Sequence, residues 1–132
     1  MLCWLFRHGR NVNMKQLMII LSVLMLMGVA HANPKVSGEK VFKRCVACHS
    51  FTKTKIGPPL GNIFDKKIGS VKGFRYSKAM KKSDIIWNDC TLDNFLKKPR
   101  KYIKGTKMRF SGLKKKSHRD AVIEYLKENQ VK

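Results

Sequence analysis

The densest chemistry in the sequence lies in five consecutive residues, Cys45-Val46-Ala47-Cys48-His49. Two thiols two residues apart, followed at once by an imidazole, place a nucleophilic or redox pair and a metal ligand within one turn. On a helical turn, residues three apart share a face. Both sulfurs can therefore reach one edge of a planar group while the imidazole lies beneath it. C-x-x-C-H is accordingly read as a covalent haem attachment site, with thioethers from Cys45 and Cys48 and an iron ligand from His49. Three other readings compete for the same residues. A zinc site needs four ligands, commonly as two pairs, and the partners left, Cys90 and His118, have no motif around them. A thioredoxin-type redox pair belongs in a βαβ unit, which the Gly- and Pro-rich stretch after His49 does not supply. A structural disulfide gives no reason for a histidine directly after the second cysteine.

A haem iron held by one histidine has an open side. Left open, it binds gases or supports peroxide chemistry; closed by a second side chain, it carries electrons. The candidates beyond residue 32 are Met80, Met108, His118, Cys90 and the lysines. Met80 falls in an expected short helix and His118 in the first turn of the last one. Met108 lies in a loop between Gly105 and Gly112, which can carry it to an iron. A thioether serves equally well in packing, so the residues alone leave the choice open.

The elements that must position these groups come from a short stretch of chain. Residues 1–32 read as a secretory leader: Leu17 to Ala30 is a 14-residue apolar run, preceded by Lys15 and closed by Ala30-His31-Ala32. That run is well short of the roughly 20 residues that span a bilayer, which argues against an uncleaved anchor. Cleavage is expected after Ala32, and Met14 offers a second start. The exported domain would be residues 33–132, expected in a periplasm. Arg7, Arg10 and Lys15 are the only charged residues before the cut, so 26 of the 29 Lys and Arg remain against all 8 Asp and Glu, a net +18. Such an excess steers association with acidic surfaces, and export argues against nucleic acid as the partner.

In the exported part, no alternating Val, Ile and Thr run suggests strands, so an all-α domain is expected. Ser37 reads as the cap of a first helix leading into the C-x-x-C-H turn. Phe51 to Gly73, punctuated by Gly57-Pro58-Pro59, Gly61 and Gly69, reads as loop. Ser77 to Lys82 reads as a short helix. Asn88 or Asp89 caps another that presents Leu92, Phe95 and Leu96 and stops at Pro99. Lys101 to Gly112 reads as loop. The last helix carries Ala121, Val122, Tyr125 and Leu126 as its stripe, with Ser117 and Asp120 spaced as a capping box.

From Gly38 to Leu126 the chain resembles class I cytochromes c, the family of mitochondrial cytochrome c and the bacterial periplasmic cytochromes c550 and c2. The resemblance rests on Gly38, Phe42, CVACH at 45–49, GPPL at 57–60, GFRYSKA at 73–79, Ile85, Trp87 and TL at 91–92. It continues through PRKYI at 99–103, GTKM at 105–108, FSG at 110–112 and Tyr125-Leu126. It implies a small all-α fold wrapped round one covalent haem c, with the first and last helices crossing. By position, His49 and Met108 would be the axial ligands of the iron, and Pro58 would orient the imidazole through its carbonyl. Tyr76, Ser77 and Trp87 would bond a propionate, Thr106 would hold the methionine loop and Phe110 would shield the haem face.

The resemblance further implies a monomeric one-electron carrier between a quinol–cytochrome c oxidoreductase of the bc1 type and a terminal cytochrome c oxidase. Docking would use Lys53, Lys55, Lys81, Lys104, Lys107 and Arg109 against acidic patches, with peripheral contact to anionic membrane also open to so basic a chain. The alternative is a haem peroxidase-like protein with Met108 displaced. Four departures from the family pattern stand out. Phe95 replaces a common tyrosine and Met80 a common asparagine, removing part of a polar network. Lys66 stands for an arginine and lacks its planar fork, and Lys104 stands for a proline, freeing the chain before Gly105.

Overall fold

The computed structural model describes residues 35–131. The expected leader, its cleavage after Ala32 and the second start at Met14 lie outside the described residues. Five helices follow one another: α1 Gly38–Phe42, α2 Lys78–Lys82, α3 Asp89–Lys97, α4 Pro99–Tyr102 and α5 Lys116–Glu128. The β pairing among the described residues is one isolated antiparallel bridge, Lys67 to Ile86.

Three of the helix starts follow from polar caps. The Ser37 hydroxyl accepts from the Lys40 N–H, and the Ser77 hydroxyl from the Met80 N–H. Asn88 and Thr91 cap α3 reciprocally: Asn88 Oδ1 accepts from the Thr91 N–H at 2.9 Å, and Thr91 Oγ1 from the Asn88 N–H at 2.8 Å. Each cap satisfies donors that a helix start leaves without partners. Two expectations need correction. The last helix begins at Lys116 after an extended Lys115 with no side-chain cap, so Ser117 is not its cap. Lys116 instead holds Asp120 in an exposed ion pair at 2.6 Å, which takes the carboxylate that a capping box would need. The stretch from Lys101 is not all loop either. Pro99, with its φ preset, opens the one-turn helix α4, and Lys101 and Tyr102 belong to it.

α1 lies against α5 and α5 against α3. The first crossing depends on Gly38. A Cβ there would collide with the Ala121 carbonyl and stand 2.6 Å from Tyr125 Cβ. The buried face of α5 is Arg119, Val122, Ile123 and Leu126, spaced i, i+3, i+4, i+7. It meets Val41 and Phe42 of α1 and Leu92, Phe95 and Leu96 of α3 in one core with Ile68, Trp87, Ile103 and Leu113. Phe42 stacks on Phe51 at 4.8 Å, and Tyr125 packs on both rings. This aromatic trio clamps the chain on either side of residues 45–49 to the last helix. Asp93 of α3 and Arg119 of α5 form a buried pair at 2.8 Å. Arg119 Nη1 also donates to the Leu113 and Lys114 carbonyls, both at 2.9 Å.

Candidate haem-binding site

Regular α-helix ends at Phe42, and residues 43–48 continue it as hydrogen-bonded turns. The Cys45 carbonyl accepts from the N–H of both Cys48, at 3.0 Å, and His49, at 2.9 Å. One tight turn thus joins the backbones of Cys45, Cys48 and His49. Cys45 is half-buried and Cys48 exposed, and neither forms a disulfide. Burial pushes the Cys45 thiol up, Arg44 pulls it back, and Cys48 raises it further. A redox-active thiol of the thioredoxin kind is shifted the other way.

Beyond the motif the chain folds back on it. Gly57 N–H donates to the Cys48 carbonyl at 2.7 Å, Leu60 N–H to Ser50 and Gly61 N–H to Phe51. The return delivers Pro58, whose carbonyl lies 2.7 Å from His49 Nδ1. A carbonyl only accepts, so Nδ1 carries the proton and Nε2 keeps a free lone pair. Burial lowers the His49 pKa, with the Pro58 bond opposing and Lys55 reinforcing. The ring is held neutral, the form that ligates a metal. Gly57 permits this approach: a Cβ at that position would stand 2.6 Å from His49 Nδ1 and 2.7 Å from Nε2. Sequence reasoning noted Gly57 as loop punctuation and as the first residue of the GPPL run at 57–60. Its steric role needs the fold-back, though a glycine directly before the proline expected to orient His49 was the available signal.

The loop bearing Met108 is pinned at both ends. Ile103 N–H bonds the Pro99 carbonyl at 2.9 Å, and Leu113 N–H bonds the Leu96 carbonyl at 2.8 Å. Within it, Thr106 Oγ1 accepts from the Met108 N–H at 3.2 Å and donates to the Met80 sulfur at 3.5 Å. Met80, expected to remove part of a polar network here, still serves as an acceptor through its sulfur. Phe110 lies under the Arg44 guanidinium, 5.4 Å from its ring centroid, a contact that sequence reading did not find. Ser77 and Trp87 are buried. Tyr76 is half-buried, packed edge-on against Phe74 at 4.7 Å, and burial raises its phenol, with the Val71 backbone opposing. Lys66 is exposed.

The donor set suits a haem. It comprises two thiols not bonded to each other, a neutral imidazole with Nε2 free, and a thioether in a tethered loop. Cys45, Leu60, Met80, Met108 and Phe110 pack against the core yet stay half-exposed, as side chains do that turn an apolar surface to a large apolar group. Among the described residues, no three His, Cys, Asp or Glu come together to hold a metal ion, so Cys90 and His118 do not complete a zinc site.

Comparison with known proteins agrees. The family model for cytochrome c matches residues 36–130. The chain belongs to the cytochrome c family. It is 46% identical over 97 residues to cytochrome c2 of Afifella marina, covering 69% of this chain and 78% of that protein. It is 48% identical over 96 residues to cytochrome c of Gibberella zeae, covering 70% and 91%. Among solved structures it is similar to cytochrome cH from Methylobacterium extorquens, with a TM-score of 0.67 and 40% identity over 69% of this chain and 94% of that one. Family members are electron carriers that bind haem c covalently through a Cys-x-x-Cys pair, and this chain carries that pair as Cys45 and Cys48. Its cofactor is haem c, its function electron transport and its fold all-α.

Proposed function

We propose that this chain shuttles single electrons in the periplasm, as a monomer, between a quinol–cytochrome c oxidoreductase of the bc1 type and a terminal cytochrome c oxidase. Cys45 and Cys48 would hold the haem through thioethers, and His49 and Met108 would ligate its iron. The hydrogen bond from His49 Nδ1 to the Pro58 carbonyl carries the reading, because it fixes the ring and leaves Nε2 to bind iron. Bound haem c supplies a one-electron Fe(II)/Fe(III) couple, and His/Met ligation raises its potential. Tyr76, Ser77 and Trp87 meet a propionate, Thr106 steadies the methionine loop, and Phe110 keeps water from the face it covers.

Docking relies on charge. Lys53, Lys55, Lys81, Lys104, Lys107 and Arg109 are all exposed, and none has an acidic partner among the described residues. A surface of this kind accelerates encounters with acidic patches, and the acceleration fades as salt rises. Among the described residues, no helix is long and apolar enough to cross a membrane.

The test is the spectrum of the oxidised haem-loaded protein. The sulfur-to-iron charge-transfer band should be present in the parent and lost in Met108→Ala, with a lower midpoint potential. A band that survives the substitution would overturn Met108 as ligand. Electron transfer to a purified oxidase should slow as salt is raised, and a rate indifferent to salt would contradict charge-steered docking.

A further inference from the structure

Met80 is tied down at several atoms. Its N–H donates to Ser77 Oγ at 3.2 Å and its carbonyl accepts from the Ser83 N–H at 3.3 Å, which fixes its backbone in α2. Its sulfur accepts the Thr106 hydroxyl. A hydroxyl has one proton and two lone pairs. With the proton committed to the Met80 sulfur, a lone pair is left for the Met108 N–H, which lies 3.2 Å away. The bonds run in one direction: Met108 amide to Thr106 hydroxyl to Met80 thioether. Phe95, in the buried core against which Met80 and Met108 pack, carries no hydroxyl.

We propose that the Met80 sulfur is a positioning group for Met108. By accepting the Thr106 proton it orients the hydroxyl toward the Met108 amide and restrains the opening of residues 103–113. The inference rests on Met108 being an axial ligand and adds a residue on another element that sets how long the loop stays closed. Met80→Leu preserves volume and removes the acceptor, while Met80→Gln restores an acceptor at similar reach.

In the oxidised haem-loaded protein, opening of the loop is read as the rate at which added imidazole binds. Loss of one weak hydrogen bond should raise that rate about threefold in Met80→Leu. Thr106→Val should do the same, the double variant should do no more than either single one, and Met80→Gln should match the parent. Amide hydrogen exchange supplies a second reading that does not depend on what the iron binds. Met80→Leu should speed exchange at Met108 by a similar factor while α3 and α5 stay unchanged, whereas a purely structural role would loosen the helices too. Leu and Gln variants that behave alike, effects of Met80→Leu and Thr106→Val that multiply, or unaltered exchange at Met108 would each overturn the proposal. A Met108→Ala protein that takes imidazole no faster than the parent would instead overturn the axial assignment, leaving the exchange data to judge the relay.

Discussion

Replacing Asp93 should weaken the domain more than replacing any other acidic residue that is ion-paired among the described residues. Its partner Arg119 is the one buried charged side chain described, 4% exposed. Asp93 Oδ1 accepts from Arg119 Nε at 2.8 Å; the second contact, at 3.5 Å, is too long to add much. Removing one member of a buried pair typically costs about 3–5 kcal/mol, because a charge is left without its counter-ion. Two features lower that figure here. The Asp93 side chain is 25% exposed, so water can enter the vacated place, and the bonds from Arg119 to the Leu113 and Lys114 carbonyls survive. The expected loss for Asp93→Ala is about 2–3 kcal/mol, or a fall in Tm of roughly 10–20 °C for a domain of this size. Asp93→Asn keeps an acceptor without the charge and should fall between the two. Denaturant and thermal unfolding of the haem-loaded protein would measure all three proteins. The comparison is Asp120→Ala, which breaks the exposed i, i+4 pair with Lys116 and should cost only about 0.3–0.5 kcal/mol. If Asp93→Ala is no worse than Asp120→Ala, the reasoning from a buried uncompensated guanidinium is wrong.

Other substitutions probe the site and its supports. Gly57→Ala puts a methyl group against the His49 ring and should sharply lower the yield of haem-loaded protein per polypeptide, measured by absorbance; normal loading would refute the close approach. Asn88→Ala removes one half of the α3 cap and should cost about 1 kcal/mol in denaturant unfolding, with a change below 0.3 kcal/mol counting against it. The Asp84 carboxyl is held below its ordinary value by the hydrogen bond from Lys67 and then by its charge. A lowered acid stabilises the fold above the ordinary carboxylate value and loses that contribution as pH falls through the lowered one. By NMR titration, Asp84 should move up in Lys67→Met, and an unmoved midpoint would show the pair to be idle in solution.

What the sequence revealed was local. Ser37 and Asn88 announce themselves because a polar cap must precede an apolar face within a few residues, and the chemistry of Cys45, Cys48 and His49 is complete within one turn. Ser117 and Asp120 had the spacing of a cap, but spacing cannot show that Lys116 holds the carboxylate. Arg119 escaped notice for a related reason. A charge inside an apolar stripe reads as a solvated position until its partner, 26 residues away on another helix, is known. The link from Pro58 to His49 was legible only through family resemblance, and the bond from Thr106 to Met80 follows no periodicity. Both depend on where loops return, which helix and strand patterns do not encode.

The crossing of α1 and α5 ties the two ends of the described chain together. Gly38 and Tyr125 stand at opposite ends of the described chain, so their contact carries nearly the largest loop-closure cost the domain allows. Phe42 and Phe51 flank the motif at close range in the sequence, whereas Tyr125 reaches them from the far end of the chain. Without Tyr125 the aromatic clamp around the motif lacks its third ring. Undocking of the last helix would therefore remove the third ring and release the chain on both sides of the motif.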